Sequence, residues 1–581
     1  MHLLNKIHDP SDLKTLSESQ LVLLCQEIRD FFIDKILENG GHFSANLGVV
    51  ELTVALHYLY DFKHDKLVWD VGHQAYIHKL LTGRRNAFNT IRKTGGLSGF
   101  PKMNESSYDH FGTGHSSTSI SAILGMAEAA LLNGENHHHV AVIGDGSLTG
   151  GMAFEALNNL GVSKANVLVI INDNQMSIDP NLGAINQHLR TIDEHINLFK
   201  TLGLKYTGPI DGHDLPKLLS ALTAARAVKQ PNILHIRTLK GKGYAPAEKE
   251  QTNWHSVSYV KIDPLKTTAE PKPLKFQEVF GQTLLELAQA DDRVVGITPA
   301  MPSGSSMKTL MEAMPNRVFD VGIAEQHAVT FSAGLAAAGK RPFCAIYSSF
   351  AQRAYDQIIH DVALQNLPVI FCIDRAGLVG GDGPTHHGAF DLAYLTLVPN
   401  LTILSPMDEQ ELRNAMHWAK DYLEGPVVIR YPRGRGSMTH RPSSISPLEI
   451  GKSRILQTGL ETAIISMGEI GVEVQHTITN HGLEKVVYHM DARFMKPFDI
   501  SRVQYLFTHF NHIITIEESC LIGGLGQHIK ALATEHAYAG KISCLGLPDH
   551  FVSHGDKKEL RAQYGLDEKG ILATIQPKNT P

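Results

Sequence analysis

Two short apolar runs, residues 140–143 and 167–171, end in Gly144-Asp145-Gly146 and Asn172-Asp173-Asn174, and the residues between them, 151–160, have helical spacing. A strand, helix and strand in that order form a right-handed crossover, so both runs are read as parallel buried strands whose ends share one carboxyl edge. The Asp145 carboxylate and the Asn174 amide oxygen can then converge on one point. A hard cation such as Mg²⁺ takes about six oxygens, only a few of them from protein. With a backbone carbonyl at Met176, this pair suits a metal that also holds a diphosphate. Gly-Asp-Gly alone reads more readily as a tight turn, and it is the spaced pair that carries the signal.

Three histidines each follow a glycine at an element boundary: His42 in GGHFSANLG, His73 in WDVGHQAYIHK and His115 in GTGHSSTSIS. Loops at the carboxyl edge of an open sheet bind ligands, and imidazole both hydrogen-bonds and carries protons near neutral pH. The tract His137-His138-His139 reads instead as a solvated loop, since adjacent residues of an extended segment face opposite ways. Arg375 and Arg433 follow the runs 368–373 and 427–431, so both can lie on one sheet edge, where a planar guanidinium suits a phosphate dianion.

Residues 1–243 alternate helices, such as 21–39, with short buried strands, and are read as a first α/β domain with a mostly parallel sheet. The stretch 244–274 is rich in Pro, Lys and Glu and reads as a spacer, although it contains Trp254 and His255. Alternation resumes over 275–435, a second doubly wound domain. After a second spacer, 436–449, a third domain covers 450–581. Its Gly523-Gly524-Leu525-Gly526 reads as a helix start rather than an anion site.

The net charge of −6 gives no electrostatic reason to expect nucleic acid or an anionic membrane as partner. The five cysteines lack CxxC spacing and read as buried thiols of a reducing compartment. No signal peptide and no long apolar run is visible, so a cytoplasmic location is expected. A generic nucleotide-binding sheet is disfavoured, because no Gly-x-Gly-x-x-Gly follows the first strand.

Taken together, DVGHQAYIHK, GDGSLTGGMAFEALNN, DVGIAEQHAV, DRAGLVGGDGPTHHGAFD and YPRGRG resemble the 1-deoxy-D-xylulose-5-phosphate synthase family of transketolase-like thiamine diphosphate enzymes, across essentially the whole chain. The resemblance implies three doubly wound α/β domains of transketolase type in a homodimer. It implies the condensation of pyruvate with D-glyceraldehyde 3-phosphate to 1-deoxy-D-xylulose 5-phosphate and CO₂, with thiamine diphosphate and Mg²⁺. Asp145, Asn174 and the Met176 carbonyl match the family's metal ligands. His73, Gly114, His115, Ser116, Gly146 and Ser147 match its cofactor contacts, and Phe350 matches the aromatic stacked on the pyrimidine. Glu325 matches the glutamate that bonds the pyrimidine ring nitrogen, and is expected to be buried with a raised pKa. His42, His73 and His255 match proton-transfer positions. Asp382 and His386 match groups that bond the acceptor's hydroxyls, and Tyr347, Arg353, Arg375 and Arg433 match its phosphate side.

The chain departs from the family twice. Between Ala184 and Tyr206 it is shorter than its relatives, which carry a loop over the active site, and at 387 a histidine stands where the family often has glutamine. An imidazole replaces only part of an amide's donor–acceptor pair, which bears on acceptor preference. Two other readings compete: ketol transfer of the transketolase type, and a catalytically silent cofactor-binding scaffold.

Overall fold

The computed structural model describes residues 2–193, 195–257, 272–439 and 444–576. Two compact units form, one from Met1–Asp263 with Gly322–Ala324, the other from Pro264–Val321 with Glu325–Pro581.

The first unit is built on a five-stranded sheet in the spatial order Lys66–Trp69, His139–Gly144, Val167–Asp173, Asn232–Arg237, Lys205–Asp211, parallel throughout. Val167–Asp173 is buried along its whole length, the signature of a parallel strand covered on both faces. The crossover helix runs over Gly151–Leu160, where the spacing placed it. His139 opens its strand and is 3% exposed. The solvated-loop reading of the His tract therefore fails at that residue, whose imidazole is enclosed with the strand it begins.

The spacer expected at 244–274 also differs. Residues 244–257 form the helix Ala245–Lys249 and the strand Ser256–Val257, which pairs antiparallel with Gly41–His42. Tyr244 and Trp254 pack with Phe43 at ring-centroid distances of 5.0–5.5 Å. Three large rings bury enough apolar surface to hold a segment whose overall composition is polar. Residues 258–271 lie outside the described residues.

The second unit carries two sheets. The larger has seven strands in the order Phe494–Lys496, Thr402–Leu404, Val427–Pro432, Ile370–Ala376, Arg341–Tyr347, Val294–Thr298, Val318–Asp320, with only the first antiparallel to its neighbour. The smaller follows the order Arg454–Thr458, Val487–Asp491, Thr462–Met467, His512–Cys520, Lys541–Leu547, with Arg454–Thr458 antiparallel. Phe494–Lys496 comes from the region expected to be a separate third domain, yet it completes the larger sheet. The spacer expected at 436–449 is likewise partly built in: Gly436 N–H donates to Leu274 O at 3.0 Å, and Met438 N–H to the Glu409 carboxylate at 2.8 Å. Residues 440–443 lie outside the described residues.

Asp70, directly after the strand Lys66–Trp69, organises the edge of the first sheet. Its buried carboxylate accepts from Ser117 N–H at 2.7 Å and Ser119 N–H at 3.0 Å. Those donors belong to the turn that opens the helix Ser119–Leu132, where a negative charge is favoured. Ser117 Oγ in turn donates to Ser147 O at 2.7 Å, joining the turn after Asp145. Ser117 adopts φ +68° and Gly72 φ +83°, and a Cβ on Gly72 would meet Thr113 Oγ1 at 2.2 Å. Burial alone raises the Asp70 pKa, while the hydrogen bonds from Ser119, Ser117 and Ser147 oppose that rise. Asp70→Ala leaves these donors unsatisfied, and is expected to cost about 2–4 kcal/mol, read as a lower urea midpoint for the full chain.

Candidate active site

The first unit brings three of the sequence-selected histidines together. His42 is held by the pairing of Gly41–His42 with Ser256–Val257, which sets His255 alongside it. The His42 ring lies 5.7 Å from His73 and 5.8 Å from His255, and His73 lies 5.3 Å from His255, all centroid to centroid. Tyr76 Oη sits 3.2 Å from His42 Nδ1, and Phe100 covers the His42 ring at 5.3 Å. Asn46 bonds the carbonyls of both His42 and His73, at 3.1 and 2.9 Å, and so clamps two loops. His42 is 7% exposed. Three clustered imidazoles in an apolar wall can hold and pass protons at neutral pH.

On the same unit, the register that sets Gly144 opposite Asn172 puts Asp145 and Asn174 side by side. Asp145 Oδ1 accepts from Asn174 N–H at 3.4 Å, and its Oδ2 from Asn181 Nδ2 at 3.1 Å. Asn174 Oδ1 accepts from Met176 N–H at 3.0 Å, so the three expected metal ligands come from two adjacent turns joined by the Asn174 N–H to Asp145 bond. Burial, then the neighbouring Asp173 carboxylate, pushes Asp145 up to about 7. Gly146 and Ser147 continue from Asp145. Gly114, His115 and Ser116 form the adjoining turn held by Asp70, with His115 half-buried.

Sequence reasoning passed over Lys240. It is 1% exposed, its Nζ donates to Ser177 O at 2.5 Å, and burial pulls it down to about 8 against the attraction of Asp145 and Asp179. A lysine three residues after Asn232–Arg237, a strand of the same sheet, was the available signal. Asn181 was missed as well, and nothing in its spacing marked it.

In the second unit Glu325 begins the helix Glu325–Ala337 and is 4% exposed. Burial raises its pKa, and the Arg353 guanidinium, 3.8 Å away, only partly offsets this. Arg353, expected on the substrate's phosphate side, is thus placed against Glu325. Tyr347, at the end of the strand Arg341–Tyr347, stacks on Phe350 at 5.5 Å, and the His386 ring meets Phe350 edge-on at 5.3 Å.

The Arg375 guanidinium lies 4.2 Å over the Tyr347 ring and pairs with Asp374 and Gln277. Arg433 donates to Asp382 Oδ2 at 3.0 Å and to Val379 O at 3.2 Å. Because Ile370–Ala376 and Val427–Pro432 are parallel neighbours, Arg375 and Arg433 share an edge as expected. Asp374, which orients Arg375, was missed, although it stands next to it in the chain.

Glu325 yields a sign that can be checked. A carboxyl whose folded pKa lies above its unfolded value of about 4.3 binds its proton more tightly when folded, so it opposes folding increasingly as pH rises through that interval. Glu325→Gln cannot ionise. The variant, measured without ligands, is expected to have the higher unfolding midpoint at pH 8 and to lose that advantage by pH 4.

A family model described as 1-deoxy-D-xylulose-5-phosphate synthase matches residues 4–196 and 190–238. Models of the transketolase pyrimidine binding domain and the transketolase C-terminal domain match 272–437 and 451–571. The first two stretches meet inside the short segment noted above. The 1-deoxy-D-xylulose-5-phosphate synthase of Cytophaga hutchinsonii is 48% identical over 99% of this chain and 98% of its own length. Those of Bacteroides thetaiotaomicron and Chlorobaculum tepidum are each 48% identical over 99% of this chain, covering 96% and 98% of their own. With two transketolase domains following a synthase-specific first one, and near-complete coverage at this identity, the chain belongs to the 1-deoxy-D-xylulose-5-phosphate synthase family.

Proposed function

We propose that this chain condenses pyruvate with D-glyceraldehyde 3-phosphate to 1-deoxy-D-xylulose 5-phosphate and CO₂, as a homodimer using thiamine diphosphate and Mg²⁺. The observation that carries the reading is Glu325: a carboxyl group at the start of a helix, buried and with its pKa raised by that burial, in a chain of this family. When bound, the cofactor supplies the electron sink for decarboxylation.

The residues present fit that cofactor. Asp145 and Asn174 offer one anionic and one neutral oxygen, the donor chemistry of a diphosphate-bound Mg²⁺, with the Met176 carbonyl as a third ligand. A divalent cation beside Asp145 restores the ionised form that burial disfavours. Gly114, His115, Ser116, Gly146 and Ser147 would hold the diphosphate, and Lys240 would add a counter-charge. The Glu325 carboxyl would bond the pyrimidine ring nitrogen, with Arg353 holding its orientation, and Phe350 would present the stacking face.

His42, His73 and His255 exchange protons with the reacting groups. Tyr76 and Asn46 keep His42 and the His73 loop in place for this. On the acceptor side Arg433, 43% exposed along its side chain, binds the phosphate, with Arg375 and Tyr347 beside it. Asp382 and His386 bond the hydroxyls.

Release of CO₂ from pyruvate that depends on added D-glyceraldehyde 3-phosphate tests the reading, and its absence in cofactor-loaded protein refutes it; ketol transfer between sugars releases none. His42→Ala is expected to lower turnover by roughly 10²–10⁴-fold, the usual worth of general acid–base assistance, while calorimetric binding of thiamine diphosphate is retained. Unchanged turnover removes His42 from the proton-transfer set.

A further inference from the structure

The segment 377–389 carries Asp382 and His386, and it is closed on itself by Gly377 N–H to Gly388 O at 2.9 Å and Gly388 N–H to Gly377 O at 2.8 Å. Between those ends His387 is 3% exposed. Its two nitrogens are both used on backbone. Nδ1 lies 3.1 Å from Val379 N, and Nε2 lies 3.1 Å from Ser553 O.

An amide N–H can only donate and a carbonyl can only accept, so the ring is the neutral tautomer with its hydrogen on Nε2. Burial lowers the pKa of His387 and favours that uncharged form.

The hydrogen bonds continue past Val379. Its carbonyl accepts from Arg433 Nη1, and the same nitrogen donates to Asp382 Oδ2. A chain of contacts therefore runs from Ser553 through His387 and Val379 to Arg433 and Asp382. The far end of this chain is firmly held. Gly555 N–H donates to Gly380 O at 3.4 Å, and a Cβ on Gly383, at φ +69°, would meet His554 Cβ at 2.8 Å. The segment is thus laid against 553–555, and the His387 side chain bonds across to Ser553 O.

We propose that His387 is a positioning residue for the acceptor aldehyde: by joining Val379 to Ser553 it sets the geometry of Arg433 and Asp382, and through them the affinity for the acceptor but not for pyruvate. The proposal rests on the acceptor-side assignment of Arg433 and Asp382 made above. It also accounts for the departure from glutamine at this position. A glutamine can accept from Val379 with its oxygen and donate to Ser553 with its nitrogen, so the two residues do the same work here.

The test is initial-rate kinetics on the cofactor-loaded full chain, varying D-glyceraldehyde 3-phosphate at saturating pyruvate and then the reverse. His387→Leu removes both hydrogen bonds, and is expected to raise the acceptor KM roughly 3- to 10-fold, the scale of one lost bond, with the pyruvate KM unchanged. His387→Gln is expected to restore the parent value. If His387→Leu does not fold, His387→Asn, whose amide is too short to span both partners, is expected to show the same split.

Equal changes in both KM values, or a Gln variant as impaired as Leu or Asn, overturn the proposal. Arg433→Ala separates the two levels. An unchanged acceptor KM in that variant refutes the acceptor-side assignment and the proposal with it. A raised acceptor KM there, without the split in the His387 variants, refutes the proposal alone.

Discussion

One buried carboxylate, Asp70, ties together the loops on which the first unit's chemistry stands. It sits at the end of one strand, takes two N–H groups from the turn before the helix Ser119–Leu132, and through Ser117 reaches the turn that follows Asp145. A charged acceptor deep in the protein is tolerated only where several donors are aimed at it. Satisfying Asp70 therefore dictates where those turns lie. The left-handed backbone at Gly72 and Ser117 is the local cost of bringing them close.

The carboxyl groups closest to the proposed chemistry are, like Asp70, raised by burial. Asp145 and Glu325 are nearly fully buried, and burial outweighs their hydrogen bonds and charges, so both sit above the ordinary carboxylate range. Such groups oppose folding at neutral pH. Strands such as Val167–Asp173 and Val294–Thr298, buried from end to end, supply the apolar packing that offsets them. A ligand that satisfies either group adds its binding energy to the stability of the folded form, so preparing the site for a cofactor and stabilising the unliganded protein pull in opposite directions.

The smaller sheet of the second unit holds none of the sequence-selected site residues, but it supplies bracing. The Glu517 carboxylate accepts from Leu525 and Gly526 N–H, each at 2.8 Å, so the helix start after the glycine cluster is filled by the protein's own acid. Glu518 pairs with Arg561 and with Lys557 at 3.5 Å, and its backbone carbonyl accepts from Arg430 at 3.2 Å. Arg430 Nε donates to both Asp391 carboxylate oxygens, at 2.8 and 2.9 Å, and its Nη2 reaches Gly388 O at 3.3 Å. These buried contacts converge on the segment that carries Asp382, His386 and His387. Glu518, Arg561, Arg430 and Asp391 are each paired and multiply bonded, which is the condition under which buried ions hold one arrangement rather than several.

By itself the sequence determined the parallel strands, the crossover helix 151–160 and two separate sheet edges, one with Asp145 and Asn174 and the other with Arg375 and Arg433, because apolar period and strand direction are local and alternation leaves few topologies open. Motif strings spanning the whole chain were enough to assign the family. Only the tertiary structure decided that residues 244–257 fold onto the first unit and deliver His255 to His42 and His73, since that depends on Tyr244, Trp254 and Phe43 meeting across two hundred residues. Likewise only it revealed Asp70, Lys240 and the role of His387 between Val379 and Ser553. A side chain's partner is set by which backbone atoms the packed fold leaves within about 3 Å of it, and separation along the chain carries no information about that.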